Sequence, residues 1–290
     1  MTRLFIYVSA ILISAAAGAF SQDGDAAVIH MKNGQRMQGQ VAGVGSDALQ
    51  WKVPEAAAGS RSIPYSQISW VEFTPTQEWG EALVLFYNNN YQEAIPKLQA
   101  ISNSRGASTY YPAPGNFATL ADRRLLDCYR RTMTAAEIPN VEKRIEWDKL
   151  PPTERDVQVV MELWSSVGIQ EWDRALQIAD QLEKELPPTH SARAEVAYLR
   201  GRALESKGES IAAVSAYGAI IGPFPGSQRR LASDALKRSA ALLEGNEDRV
   251  DELKALVHIY AKSFGNGKLW AEATAGMKAL LNEPIEIDNK

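Results

Sequence analysis

From about residue 76 onward, the apolar positions of the chain recur at helical spacing, with interruptions that predict many short helices. In three stretches a bulky residue, two variable positions and an alanine precede an apolar ladder, although the third follows this pattern more loosely. A small residue at this position lets the second helix of a hairpin approach the first closely, and the later apolar residues face the next hairpin. The pattern therefore predicts helical hairpins that stack into a mainly α solenoid. The stretches are Tyr91-Gln-Glu-Ala94 with Leu98 and Ile101, Trp172-Asp-Arg-Ala175 with Ala179 and Leu182, and Gly208-Glu-Ser-Ile211 with Ala213, Tyr217 and Ile220.

Residues 26–73 instead show the short alternating segments that are typical of β-strands. Asn33-Gly34 is a strong hairpin signal between the first two of these segments. An open sheet of such short strands would leave exposed edges, so we expect a small antiparallel five-stranded barrel that is closed or nearly closed. Strands are predicted over Val28–Met31, Met37–Val44, Leu49–Val53, Ser62–Tyr65 and Ile68–Phe73.

Proline and glycine signals separate the remaining helical segments. Two proline pairs bound a hairpin over Thr153–Leu186, in which Thr153 is placed to cap the first helical turn. Ala94 and Ala175 are separated by more than two repeats of about 34 residues, so we expect a degenerate repeat between them, over Asn116–Leu150. Further helices are predicted near residues 227–244, 248–263 and 267–281.

The N-terminal residues have the organisation of an export signal. Arg3 supplies the positive start, Leu4–Ala17 the apolar run and Ala17-Gly-Ala19 the small residues before a cleavage site. An uncleaved membrane anchor is the alternative, but the apolar run is shorter than the roughly 20 residues that a spanning helix needs. We therefore expect a signal peptide over residues 1–19, and a periplasmic or extracellular protein with no membrane span after cleavage.

Charge and cysteine content narrow the partners and the chemistry. The formal net charge is -4, and the charges of both signs are interspersed. This charge distribution lacks the basic patch that binds nucleic acid, so no nucleic-acid partner is expected. Cys128 is the one cysteine, which excludes an internal disulfide. Because it follows Leu125 and Leu126 in a predicted helix, we expect a buried thiol, with a reactive or intermolecular role as the alternative.

The alanine-centred hairpins resemble tetratricopeptide repeats, a family of helical repeats that bind proteins and peptides. The resemblance implies a right-handed solenoid over residues 76–285, in which the first helix of each hairpin lines a concave binding face. The spacing of the repeats is looser than the family pattern, and the signature fades after Ser227.

The N-terminal strands resemble small barrels of the Sm-like and SH3-like kind, which follow export signals in some bacterial envelope proteins. The segments that carry this resemblance are VIHMKNGQRMQGQV, ALQWKV and SIPYSQISWVEF. The resemblance implies a barrel module over residues 26–74, with one tight helical turn at Ser66-Gln-Ile68 before the last strand. It implies a fold and no activity.

The repeat resemblance also implies a set of groove residues on the first helices. Large aromatic side chains at helical spacing are also typical of a core, which is the alternative for the aromatic members of this set. Arg202 and Glu205 contact a partner or form an ordinary i,i+3 pair in solvent. The residues carried over are Trp79, Leu83, Tyr87, Val160, Trp164, Glu195, Tyr198, Arg202 and Glu205.

No stretch of the sequence matches a motif with a catalytic, cofactor-binding or metal-binding mechanism. His30, His190 and His258 lie in three separate segments, and Gly265-Asn-Gly-Lys268 lacks the spacing of a phosphate-binding loop. We therefore predict no catalytic residues, no cofactor and no metal site, and we do not expect an enzyme.

The sequence favours a non-enzymatic adaptor of the bacterial cell envelope that binds a peptide or a partner helix in the solenoid groove. One alternative is a structural subunit that self-associates within an envelope transport or secretion complex, through the barrel edge. The other is a hydrolase with a carboxylate pair that is brought together only by folding.

Overall fold

The computed structural model describes residues 25–53, 59–104, 117–150, 152–221, 229–265, 270–271 and 273–283. The predicted signal peptide, residues 1–19, lies outside the described residues. Within them, no helix is both long enough and apolar enough to cross a membrane.

The predicted strands form one antiparallel sheet in the order β4-β3-β2-β1-β5. The hairpin turn between β1 and β2 falls at Asn33-Gly34, where Gly34 has a φ of 86°. A 3-10 turn at Tyr65–Gln67 joins β4 to β5, one residue before the predicted position. The strands are β1 (Asp25–Met31), β2 (Arg36–Val44), β3 (Ala48–Lys52), β4 (Arg61–Pro64) and β5 (Ile68–Phe73).

The sheet curls around one apolar core without closing. Side chains from every strand, including Ile29, Trp51 and Ile63, belong to the same buried cluster. Within the described residues, however, β4 pairs only with β3 and β5 pairs only with β1. The predicted barrel closure is therefore not confirmed, and β4 and β5 are edge strands.

The helical part begins immediately after the sheet. Thr76 caps the first helix by accepting a hydrogen bond from the Trp79 backbone N–H at 3.2 Å. The helices are α1 (Gln77–Tyr87), α2 (Tyr91–Asn103), α3 (Phe117–Thr132), α4 (Ile138–Glu142), α5 (Gln158–Gly168), α6 (Trp172–Glu185), α7 (Arg193–Ser206), α8 (Ser210–Ile221), α9 (Arg229–Leu243), α10 (Val250–Ser263) and α11 (Ala275–Leu280).

Consecutive helices pair as hairpins, and each hairpin packs on the next. We call α1, α3, α5, α7 and α9 the first helices and α2, α4, α6, α8 and α10 the second helices. The degenerate repeat expected over Asn116–Leu150 is the pair α3 and α4, whose second helix has only 5 residues. One apolar core runs from α1 to α9, and Phe117 contacts both this core and that of the sheet. The ring of Phe117 lies 5.2 Å from that of Trp79.

Neighbouring first helices are joined at a similar offset along the chain. Hydrogen bonds between neighbouring first helices, or between a first helix and the turn that leads into the next one, join residues 31 to 36 positions apart. This offset matches a helical repeat of about 34 residues. The bonded pairs are Arg123–Asp156, Trp164–Glu195, Tyr198–Asp234 and Glu205–Arg238.

The alanines of the repeat pattern lie in the buried core of the helical part. Ala94, Ala175 and Ala213 are fully buried in the second helices, as predicted. The predicted register of the third stretch is wrong, because Ile211 is 46% exposed. Helix α8 begins at Ser210, the position equivalent to the first residues of α2 and α6, so Ala213 occupies the close-packed position.

Two further predictions, for Thr153 and for the last helix, differ from the structure, and the prediction for Cys128 agrees with it. Thr153 does not cap a helix, since Pro152–Glu154 is a 3-10 turn and α5 begins only at Gln158. The last predicted helix is reduced to α11 within the described residues. Cys128 is fully buried, as predicted, and burial raises the pKa of its thiol to about 12, which keeps it in the unreactive form at neutral pH.

The contact between α7 and α8 yields a stability prediction. A Cβ added at Gly201 would lie 2.9 Å or less from three atoms of the Tyr217 ring. Gly201→Ala should therefore lower the free energy of unfolding by about 1 to 3 kcal/mol through overpacking. Chemical denaturation checks this value. Gly218→Ala in α8 is the matched control, because nothing lies within 4 Å of its added Cβ. A control as destabilised as Gly201→Ala would contradict the packing assigned to these helices.

Candidate binding groove

Side chains of four first helices meet around a cleft of about 420 Å³. We call this surface, together with its continuation described below, the first-helix groove. Tyr87 of α1 is 67% exposed at its edge. The other lining residues used below are Arg123, Asp127, Arg130, Arg131, Asp156, Val160 and Glu195.

The floor of the groove contains a buried ion pair between α3 and α7. Arg130 makes two hydrogen bonds to the Glu195 carboxylate, one of them from Nε to Oε2 at 2.9 Å. Trp164 of α5 donates its indole N–H to the same carboxylate at 2.7 Å. Burial by itself lowers the pKa of Arg130, but the adjacent Glu195 carboxylate outweighs it and the pKa is raised. One carboxylate therefore connects three first helices.

A second cluster joins α3 to the turn before α5. Arg123 is 3% exposed, and it contacts Asp127 at 2.7 Å and Asp156 at 2.9 Å. Arg124 makes a bidentate pair with Glu154, with distances of 2.7 and 2.8 Å. The segment around Thr153 is thus held against α3 by its acidic neighbours Glu154 and Asp156. No side chain caps the start of α5.

A third cluster links α7, α8 and α9. The Tyr198 hydroxyl donates to Asp234 at 2.6 Å, and Arg238 bonds both Asp234 and Glu205. Tyr217 of α8 donates to Glu205 at 2.6 Å. Burial raises the pKa of Tyr198 to about 12. Burial also acts to raise the pKa of Asp234, but hydrogen bonds from Tyr198 and Arg238 outweigh it and lower that pKa.

The first-helix groove continues from α7 to α9. Arg130, Arg131 and Glu195 line the cleft of about 420 Å³ and also a smaller cleft, which reaches Arg230 and Leu231 of α9. The two clefts adjoin at these three residues, so their linings together extend from α1 to α9.

The structure brings three of the predicted groove residues together. Tyr87, Val160 and Glu195 line the same cleft. Trp79 is 6% exposed and packs on Phe117, and Leu83 is half-buried against the helical core.

Two further aromatic residues of the predicted groove set, Trp164 and Tyr198, are not accessible. Trp164 is 1% exposed and Tyr198 is fully buried, so neither presents its ring to a partner in this structure. Their polar atoms bond carboxylates of neighbouring first helices, which makes them supports of the groove and corrects their prediction as contacts. The ion pair recorded for Glu205 is with Arg238 of α9, and not with Arg202 as the i,i+3 alternative had it.

Sequence reasoning missed the polar residues of α3. Arg123, Asp127 and Arg130 fall at i, i+4 and i+7 and therefore share one helix face. A stripe of alternating charge on a helix reads as solvent-exposed, but here the next first helices cover it. These residues could have been identified from the sequence, because their charged stripe lies on a first helix and therefore faces the next repeats.

A larger cleft, of about 850 Å³, lies between β5, α2 and the start of α3. Phe73, Ile101 and Phe117 are part of its apolar lining. Ser104 and Phe117 also flank residues 105–116, which are not described, so no function is assigned to this cleft.

The carboxylates among the described residues that line the cleft of about 420 Å³ are used in ion pairs. Asp127, Asp156 and Glu195 are each paired with an arginine. Across the described parts of the chain, no group of three or more His, Cys, Asp or Glu side chains could hold a metal ion.

Comparison with known proteins gives little further information. No protein-family model matches the chain, and no curated protein matches it. Among solved structures, the chain is similar to the C-terminal part of a TPR repeat-containing protein from Cytophaga hutchinsonii, with 16% identity and a TM-score of 0.23. The match covers 71% of this chain and 100% of that chain. A TM-score this low does not establish a shared fold, and the evidence for the helical repeat is the packing of consecutive helices on one another.

The ion pair in the groove floor yields a second stability prediction. Glu195→Ala would leave Arg130 buried without its main partner, and it should lower the free energy of unfolding by about 3 kcal/mol or more. Denaturant titration measures this loss. Glu162→Ala is the control, since Glu162 pairs with Arg174 in an exposed position and its loss should change stability little. Equal effects of the two substitutions would show that Glu195 does not hold the groove floor.

Proposed function

We propose that the protein is a non-enzymatic, exported adaptor of the bacterial cell envelope, which binds an extended peptide or a helix of a partner protein in the first-helix groove. The observation that carries this proposal is the pair of adjoining clefts whose linings extend from α1 to α9, with Tyr87 67% exposed at their edge. Aromatic side chains that border a groove supply much of the binding energy in protein interfaces.

The repeat geometry supports an interaction role. The offset of 31 to 36 residues between bonded first helices and the buried alanines of the second helices are features of tetratricopeptide-like repeats. We infer that the hairpins form a right-handed solenoid of this kind. We also infer that the N-terminal sheet is a small barrel module of the Sm-like or SH3-like type, since its strands share one core.

The export part of the proposal rests on the sequence of residues 1–19. A positive start, an apolar run and small residues at the end are the features that secretory signals share. Envelope localisation would place the groove where it meets other exported proteins.

The non-enzymatic part is supported by the use of the groove carboxylates. A hydrolase of the two-carboxylate type needs acids that are free to exchange protons with a substrate. Asp127 and Glu195 are instead held by arginines. Their pairing suits a rigid binding surface better than proton transfer.

A self-assembling subunit is the second candidate, and the two edge strands favour it. β4 and β5 each have a neighbour on one side only within the described sheet, and an unpaired edge can add a strand from another copy. Light scattering of the purified chain separates the candidates. The adaptor should have the mass of one chain, 31.9 kDa if the signal is retained. A stable multiple of this mass would favour the assembly subunit.

The adaptor proposal predicts the effect of removing the exposed aromatic. Tyr87→Ala should weaken binding of the partner by roughly thirtyfold, the effect of losing about 2 kcal/mol at a binding anchor. The partner is first identified by cross-linking the tagged chain in its native envelope, and its affinity is then measured with each purified variant.

Val84→Ala is the matched control for this prediction. Val84 lies on the same helix and is 61% exposed, but it does not line either cleft of the groove. Partner affinity that is the same for Tyr87→Ala, Val84→Ala and the unmodified chain would show that the groove assignment is wrong. Recovery of the chain's own copies alone would favour the assembly subunit.

A further inference from the structure

The outer face of the N-terminal sheet carries a side-chain cluster at its β5 edge. Trp70 and Glu72 of β5 alternate with the core residue Val71, so both point away from the core of the sheet. His30 of β1 lies opposite Trp70, and the two rings stack at 3.7 Å with an interplanar angle of 12°. The Nε2 atom of His30 also lies 2.9 Å from the Oε2 atom of Glu72. His30 thus holds both β5 side chains in place.

Both β5 side chains of this cluster keep a surface for a ligand. His30 covers the face of the half-buried Trp70 ring that points toward β1. The other face points toward the open side of β5, and no further ring packs on it among the described residues. The Glu72 side chain is 56% exposed, and its contact with His30 uses Oε2, which leaves Oε1 to accept a hydrogen bond. An aromatic face beside a carboxylate has the chemistry that binds a basic side chain.

The backbone of β5 offers hydrogen bonds along the same edge. The Thr74 N–H donates to the Ala26 carbonyl at 2.9 Å, which makes these two residues a hydrogen-bonded pair of the ladder between β1 and β5. Hydrogen-bonded and non-hydrogen-bonded pairs alternate in an antiparallel ladder, so Glu72 and Trp70, two and four residues before Thr74, also bond to β1. The N–H and C=O groups of Val71, which lies between them, therefore point away from β1 and toward the open edge.

A strand added at this edge would place its side chains beside the cluster. It would bond to the backbone of Val71, so its neighbouring residues would lie opposite Trp70 and Glu72 in non-hydrogen-bonded pairs, where side chains approach most closely. A residue opposite Glu72 is also diagonal to Trp70, within reach of a long side chain. An arginine or a lysine at that position would pair with the carboxylate and cover the free face of the indole ring.

We propose that the β5 edge is a second binding surface, which takes an extended segment of a partner protein with a basic side chain opposite Glu72. Backbone hydrogen bonds to β5 supply affinity, and the Trp70–Glu72 pair selects the basic residue. This surface lies on the sheet and shares no residue with the first-helix groove. The inference therefore goes beyond the groove function and does not depend on it.

A partner segment fits this edge better than a second copy of the chain. The other open edge of the described sheet is β4, which has 4 residues and ends at Pro64. Proline cannot donate a hydrogen bond to a ladder, so β4 is a poor strand to add to another sheet. The 6 residues of β5 include neither proline nor lysine, two residues that commonly protect an edge strand from pairing. β5 is therefore the edge that accepts a strand, and Glu72 gives that strand its charge preference.

The probes are three synthetic nine-residue peptides with arginine, glutamine or glutamate at the central position and threonine, which favours extended backbone, at the others. Binding of each labelled peptide to the purified full chain is measured by fluorescence anisotropy. The arginine peptide should bind about tenfold more tightly than the glutamine peptide, because it adds a charge-assisted pair and a cation–π contact. The glutamate peptide should bind most weakly, since its charge would face Glu72.

Charge reversal at Glu72 tests the origin of this preference. Glu72→Arg should reverse the order of affinities, so that the glutamate peptide binds most tightly and the arginine peptide most weakly. Asp47→Arg is the matched control, because it makes the same charge change at an exposed residue between β2 and β3. This control should keep the order of the unmodified chain. The readout is a ratio of affinities, which a general loss of stability would not reverse.

The contribution of the aromatic ring is tested at Trp70. Trp70→Thr should reduce the preference for arginine over glutamine by roughly threefold, the effect of losing one cation–π contact. Trp70→Tyr keeps an aromatic face and should retain most of the preference. The same anisotropy titrations measure both ratios.

The outcomes separate this inference from the groove function and from self-assembly. Equal binding of the three peptides, binding of none, or an order unchanged by Glu72→Arg would overturn it. A multimer of the unmodified chain that Glu72→Arg converts to single chains would show that a second copy occupies the edge, and would overturn it too. Tyr87→Ala should bind the arginine peptide like the unmodified chain, and a loss of that binding would place the peptide in the groove and contradict the β5 site.

Discussion

The buried carboxylate of Glu195 is the interaction on which the groove depends. It accepts hydrogen bonds from Arg130 of α3 and Trp164 of α5 while it belongs to α7. Apolar contacts between helices tolerate some sliding along the axes, whereas hydrogen bonds require particular distances and angles. Glu195 thereby fixes the axial position of three first helices at once, and the surface above them follows from that arrangement.

The same device recurs along the array. Arg123 ties α3 to the turn before α5, and the Tyr198–Asp234 bond ties α7 to α9. Each bond consumes a carboxylate inside the surface. Tyr87, which is 67% exposed at the edge of the groove, is not tied into this network and remains accessible to a partner.

Much of the fold could be predicted from the sequence, because the local spacing of apolar residues indicates which segments form strands and which form helices. The strands and their Asn33-Gly34 turn follow two-residue alternation, and the close-packed alanines follow the helical repeat. The burial of Trp164 and Tyr198 could not be predicted in the same way. Periodicity shows which residues share a face, but both neighbouring repeats cover that face in a stacked array. Similarly, Thr153 has the chemistry of a cap, and only the three-dimensional pairing of Glu154 with Arg124 shows why α5 begins later.

The most direct test of this account is a double-mutant cycle between Arg130→Ala and Glu195→Ala, with the free energy of unfolding measured for all four proteins. The account predicts that the two losses are strongly non-additive, with a coupling of about 2 kcal/mol or more, because either substitution removes the same buried pair. Additive losses would contradict it, since the first helices would then be held in register by something other than this ion pair.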